Sequence, residues 1–254
     1  MTSADCLTFG PTAETVAWAE TAFRAAIPIL NDPVQQARNL RHGETWFVGV
    51  DALPNDVAGT INGVPLCGPW SAFVPSGLQM HRAQLSVIYP GYPRRDATQS
   101  EANHRYRVKR DAAHVDGLLP EGETRCRFPR EFHAYVLGIV LNPCAKAPTV
   151  YWKGSHKIMQ QALRDCIGAR NPWEVDVTEA YQAARKHVFD TCERISLNGP
   201  VGSSFLLHRF TLHGTAPWDG EAFAEGRITA FFRPEFSRSE WLNGPLGSSE
   251  GAPR

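Results

Sequence analysis

Apolar positions along the chain change spacing several times, and each change marks an element. Over residues 13–30 (AETVAWAETAFRAAIPIL), Val16, Ala19, Phe23, Ile27 and Leu30 recur at helical intervals, and Thr12 stands where an N-cap belongs. One amphipathic helix is expected there. From Glu44 to Ser76 the pattern breaks up, with glycine and proline recurring around short apolar pieces such as TWFVGV and AFVP. That composition predicts turns and brief strands, a stretch suited to walling a pocket. Five runs then carry strand character, at 84–89 (QLSVIY), 133–141 (HAYVLGIVL), 149–152 (TVYW), 203–207 (SSFLL) and 227–232 (RITAFF). Several are apolar almost throughout, as strands in the wall of a covered core must be. Two helical patterns interrupt them, over 156–166 and 178–192. Short strands separated by turns, with a few helices outside, predict a mainly β fold with flanking helices on a sandwich or barrel core.

At 254 residues the chain fits one large β domain. The expected organisation is a single domain over 1–254: core strands over 80–235, a helix and pocket-wall region over 1–80, and a loose tail over 244–254. A chain this long buries enough surface to fold without disulfides or a structural metal, so a metal site would serve chemistry. Lysine plus arginine equals aspartate plus glutamate at 26 each, and no basic stripe interleaved with aromatics stands out, which argues against nucleic acid as a partner. The basic segment 105–110 (RYRVKR) is short and is assigned to an anionic ligand or the solvated surface. Six cysteines lie scattered, without a Cys-x-x-Cys pair or zinc spacing, and read as reduced thiols. The first ten residues show no basic start before an apolar core, and no apolar run approaches the roughly 18 residues of a membrane span. No membrane partner and a cytoplasmic location are the expectations.

The candidate chemistry begins at His114-Val115-Asp116. Residues two apart on an extended strand share a face, so this imidazole and carboxylate can converge on one ion. A histidine from a distant strand would complete two nitrogens and one carboxylate on one face of an octahedron, leaving the other face for co-substrate and dioxygen, an arrangement suited to Fe(II). An H-x-D triplet alone is weak, and its context matters. Residues 202–214 read as a strand, a turn and a second strand starting at His213, and Arg227 opens RITAFF fourteen positions on. A cation in an apolar strand needs an anion, and a guanidinium grips a carboxylate through two parallel hydrogen bonds. The ordinary alternative for Arg227 is a pair with a surface acid. His208 competes with His213, but five residues apart on one unbroken strand they would face opposite ways. His156 is expected to buttress a helix start, and His133 to be structural.

These segments, with Tyr151-Trp152-Lys153-Gly154-Ser155-His156-Lys157, Leu212-His213-Gly214-Thr215-Ala216-Pro217 and 227–234 (RITAFFRP), resemble in order and spacing the phytanoyl-CoA dioxygenase family of Fe(II)/2-oxoglutarate oxygenases. The resemblance spans residues 80–235 and departs at Lys153, where the family's Gly-Ser-His-Lys stretch usually follows a proline. It implies a double-stranded β-helix, or cupin-like jelly roll, with iron at its open end. It further implies that His114, Asp116 and His213 ligate iron and that Arg227 binds the distal carboxylate of 2-oxoglutarate. Gln84, Tyr89 and Lys109 are implied more weakly in the co-substrate pocket, with Trp152 along its wall. The implied reaction joins dioxygen and 2-oxoglutarate to hydroxylation of a C–H bond in a small-molecule substrate, releasing succinate and CO2. Asp116 leaves no coordination vacancy for a halide, so halogenation is disfavoured. The arginines around 94–110 suggest an anionic substrate or a solvated surface. Residues 44–76 and the insertion between Trp152 and Ser203 are expected to form the lid. The alternatives are a cupin-like zinc or manganese protein without redox work, hydrolase or sensor, and a non-catalytic small-molecule binder.

Overall fold

Thr12 starts the first helix through a reciprocal pair: its hydroxyl accepts the Thr15 amide at 3.3 Å while the Thr15 hydroxyl accepts the Thr12 amide at 2.8 Å. In the computed structural model, which describes residues 4–244, that helix is α1 (Ala13–Asn31), preceded by strand β1 (Cys6–Phe9). Asp32 caps α2 (Pro33–Asn39), whose proline occupies the first turn, where an N–H has no partner to lose. The chain continues through β2 (Leu40–Arg41), β3 (Trp46–Gly49), β4 (Gln84–Ile88), α3 (Glu101–Lys109), β5 (Leu118–Glu121), β6 (Cys126–Pro129) and β7 (Tyr135–Val140). Then follow β8 (Thr149–Trp152), α4 (Ser155–Ile167), α5 (Thr178–Thr191), β9 (Arg194–Leu197), β10 (Ser204–His208), β11 (His213–Thr215), β12 (Arg227–Phe232) and α6 (Arg238–Trp241).

Seven strands form one antiparallel sheet in the order β1-β10-β7-β12-β4-β3-β2, and β11-β8-β9 form a smaller one. Strand alternation sorts side chains into three layers of core. Val136, Phe205, Leu207 and Phe231 of the large sheet meet Tyr151 and Leu197 of the small one. On the outer face of the large sheet, Leu85, Val87, Leu137, Ile139, Ile228 and Phe232 pack with Trp18, Ala22 and Ala26 of α1. On the outer face of the small sheet, Val150 and Trp152 pack with Met159 and Leu163 of α4 and Tyr181 and Val188 of α5. The result is a jelly roll with helices on both outer faces. Between the sheets Gly138 is required by close approach, since a Cβ there would lie 2.1 Å from the Phe205 ring.

Four differences from the sequence expectation follow from topology and burial. Residues 1–80 supply β1, β2 and β3 to the large sheet, so the sheet extends beyond 80–235. Residues 44–76 divide: Leu53, Ile61 and Trp70 are buried with α1 in the outer core, where Trp18 Nε1 donates to the Gly59 carbonyl at 2.8 Å, while Trp46 packs beside Tyr92 between the sheets. The insertion after Trp152 is an outer helical layer, not a lid, because the apolar faces of α4 and α5 are spent on the small sheet. The short helix α3, absent from the expectation, has no buried residue and hence no apolar stripe to read. The tail lies outside the described residues beyond Gly244. Among the described residues no helix is long and apolar enough to cross a membrane.

Candidate metal centre and anion pocket

The loop after α3 reaches the edge of the small sheet as a single bridge, with His114 N donating to His213 O at 2.8 Å and His213 N to His114 O at 3.0 Å. This pairing places the two imidazoles side by side, ring centroids 4.8 Å apart. Two residues on, Asp116 turns its carboxylate back toward both rings. The turn that follows needs Gly117: its φ is +80°, and a Cβ would lie 2.2 Å from the Glu131 carbonyl.

The three side chains offer ligand atoms within 4.8 Å of one another. Asp116 Oδ1 lies 3.1 Å from His114 Nε2, and Oδ2 lies 3.5 Å from His213 Nε2. The other nitrogen of each ring faces a backbone carbonyl at 2.9 Å, Ala112 O for His114 and Thr211 O for His213. A carbonyl only accepts, so each Nδ1 carries a proton and Nε2 is the nitrogen left to face Asp116. With Nδ1 so engaged, each Nε2 can give its lone pair to an ion beside the Asp116 carboxylate, and without an ion a proton on Nε2 can bridge the same gap. The donor set fits a divalent metal of the imidazole-and-carboxylate preference. Burial raises the pKa of Asp116, yet the Arg233 guanidinium and the two histidines outweigh it and hold the carboxyl well below its ordinary range. Arg233 Nε donates to Asp116 Oδ2 at 2.6 Å, and its Nη1 donates to Gln84 Oε1 at 2.8 Å. Access comes from one side: the His114 side chain is 41% exposed, against 6% for His213 and 12% for Asp116.

Arg227 points between the sheets from the start of β12 and is buried. Its Nη1 donates to Thr229 Oγ1 at 2.7 Å and reaches Thr149 Oγ1 at 3.4 Å, while Nε and Nη2 have no hydrogen-bond partner. No carboxylate pairs with it among the described residues. Burial pulls its pKa down to about 10, with Cys144 and Tyr92 acting the other way. Tyr92 is buried beside it and accepts Arg107 Nη1 at 2.9 Å; Arg107 lies over the Trp46 ring at 5.3 Å. Trp46 Nε1 in turn donates to Ser86 Oγ at 3.0 Å, and Ser86 stands opposite Thr229 in register. Two guanidiniums and several hydroxyls thus gather around Tyr92; the Asp111 carboxylate also acts on that phenol, but Asp111 is gripped by Arg194, which leaves Arg227 suited to an anion.

The expected pocket residues divide. Gln84 is tied to the triad through Arg233. Tyr89 is a correction: one step past the alternation of Gln84, Ser86 and Ile88, it packs against the outer core. Lys109 is exposed at the end of α3. Trp152 is corrected likewise, since β8 turns Thr149 and Tyr151 inward and Trp152 outward, its ring 5.2 Å from Phe189. Period-two counting would have found Thr149, Thr229 and Ser86, and Arg233 one step beyond Phe231; Tyr92 lies in a loop and Arg107 on α3, where no such signal exists. His208 is buried at the end of β10, 5.1 Å from the His156 ring, with Nδ1 accepting the Phe210 amide. It takes no part in the triad.

The sequence matches no protein-family model and no curated protein. Solved structures do resemble it. The non-haem alpha-ketoglutarate-dependent carbocyclase SnoK from nogalamycin biosynthesis superposes with a TM-score of 0.51 at 14% identity, over 98% of this chain and 90% of that one. The shared feature is the fold. EctD from S. alaskensis, solved with 2-oxoglutarate and 5-hydroxyectoine, gives 0.47 at 16% identity over 99% and 78%. HygX from Streptomyces hygroscopicus, solved with nickel, 2-oxoglutarate and hygromycin B, gives 0.44 at 15% over 92% and 84%.

Proposed function

We propose that this chain is a non-haem Fe(II)- and 2-oxoglutarate-dependent oxygenase of the phytanoyl-CoA dioxygenase type, hydroxylating a C–H bond of a small molecule. The observation that carries the reading is the triad itself, two imidazoles with Nδ1 held by backbone carbonyls and Nε2 turned toward one carboxylate, their ligand atoms within 4.8 Å of one another. His114, Asp116 and His213 would hold the iron. When bound, iron supplies the coupling of dioxygen reduction to 2-oxoglutarate decarboxylation and substrate oxidation, which the side chains here cannot perform. The protein's part is placement. Arg233 holds one Asp116 oxygen and steadies the ligand's orientation. Arg227, with Thr149, Thr229 and Tyr92 around it, would take the distal carboxylate of 2-oxoglutarate, and this dry setting strengthens each charged hydrogen bond. Substrate would approach on the open His114 side.

A redox-silent metal protein of cupin type is the rival, and Arg227 weighs against it. A hydrolase has no use for a buried guanidinium facing unpaired toward the sheet interior, whereas a dicarboxylate co-substrate explains it. Anaerobic protein loaded with Fe(II) and 2-oxoglutarate is expected to develop the visible charge-transfer band of a chelated 2-oxo acid and, on admitting dioxygen, to release succinate. Protein that binds iron without either signal would support the rival; protein indifferent to iron would end both readings.

A further inference from the structure

His114 owes its proton placement to a backbone segment that holds itself poorly. Asp111 and Ala112 adopt φ of +52° and +51°, two consecutive non-glycine residues in the left-handed region, where a Cβ crowds the backbone. Their path aims the Ala112 carbonyl at His114 Nδ1. An alanine there relaxes to negative φ unless its neighbours forbid it.

The restraint comes from Arg194 of β9. Its Nε and Nη2 grip Asp111 Oδ2 and Oδ1 at 2.7 and 3.0 Å, a parallel two-bond pair. Asp111 is 5% exposed, and its carbonyl accepts the Thr215 amide of β11 at 2.9 Å. Gly214 allows that close approach, since a Cβ there would lie 2.2 Å from the Asp111 carbonyl. His213 depends on nothing comparable. Its carbonyl partner, Thr211, sits in an ordinary turn, with the Thr211 hydroxyl donating to Asp5 O at 2.8 Å.

We infer that Asp111 and Arg194 are positioning residues that hold the left-handed pair and thereby fix the Nδ1 hydrogen bond and aim of His114, one metal ligand and not the other. The inference rests on the metal reading above for its consequence, but the His114 hydrogen bond to Ala112 is a property of the metal-free protein.

The test uses Arg194→Ala, which is tolerable to the fold because this side chain is 41% exposed on the edge strand of the small sheet. Imidazole nitrogen NMR of the metal-free protein is expected to show the His114 Nδ1 proton held in a hydrogen bond in the parent and released to exchange in Arg194→Ala, with His213 unchanged. Co(II) titration, followed by its visible absorption, is expected to show affinity weakened about 10- to 100-fold. Arg194→Lys, which restores the charge, recovers part of it. Ala112→Gly, free to adopt positive φ, shrinks the loss that Arg194→Ala causes. Unchanged His114 signals and Co(II) affinity in Arg194→Ala would overturn the inference, as would equal disturbance of both histidines. A parent that ignores Co(II) would sink the metal reading, while the His114 comparison would still decide this one.

Discussion

Arg227→Met separates stability from function at a single side chain. The guanidinium is buried without a carboxylate, and its pKa falls from an ordinary 12.5 to about 10. Both values lie above neutrality, so at pH 7 the folded, ligand-free protein carries the whole penalty of keeping the group charged. A shift of this size corresponds to about 3 kcal/mol. Methionine fills much of the same volume and removes that penalty, but leaves the Thr229 and Thr149 hydroxyls without their donor, at about 1 kcal/mol each. The net expectation is a gain of about 1 kcal/mol, or roughly 2–4 °C in Tm for a domain of this size. The same change removes the cation proposed to grip the distal carboxylate, costing about 2–3 kcal/mol, roughly a 30- to 160-fold loss in apparent affinity. Thermal unfolding of the metal-free protein measures the first effect; the 2-oxoglutarate dependence of succinate release measures the second. A variant that melts lower without ligand yet keeps its 2-oxoglutarate affinity would refute the argument on both counts.

Three further outcomes are expected. His114→Ala is expected to abolish iron-dependent succinate release while shifting Tm little, because the ring is 41% exposed at the mouth; iron stoichiometry and a melting curve check both parts. Gly138→Ala forces a Cβ to 2.1 Å from the Phe205 ring and is expected to destabilise by about 1–3 kcal/mol, relieved by adding Phe205→Leu, as urea titration will show. His42 stacks on Trp46 and has its pKa pulled to about 4, first by burial and then by Arg107. The unfolded chain binds that proton near pH 6.5 and the folded one does not, so stability is lost as pH falls from about 6.5 to 4. His42→Gln is expected to flatten that part of the profile; an unchanged slope in urea melts at pH 7 and pH 5 would remove His42 as its source.

The sequence by itself determined the elements whose burial is regular. α1 is legible because one stripe of it meets the large sheet, and β4, β7, β8, β10 and β12 because they are apolar runs in a covered core. His114 and Asp116 were read as a pair from strand periodicity, although His114 lies on a single bridge and Asp116 in the turn after it, and His213 was read from the family resemblance of His213-Gly214-Thr215. Only the tertiary structure decided which faces those strands turned inward. Register set Thr149 inward and Trp152 outward, and Tyr89 away from the seat that Tyr92 occupies. β1 pairs with β10 some two hundred residues later, a contact no local pattern encodes. The meeting of Arg107 with Tyr92, Arg233 with Asp116 and Arg194 with Asp111 is likewise made by loop paths. Periodicity records what a residue's own backbone does with the solvent boundary; polar partnerships depend on where distant backbones cross, and that is settled only when the sheets close.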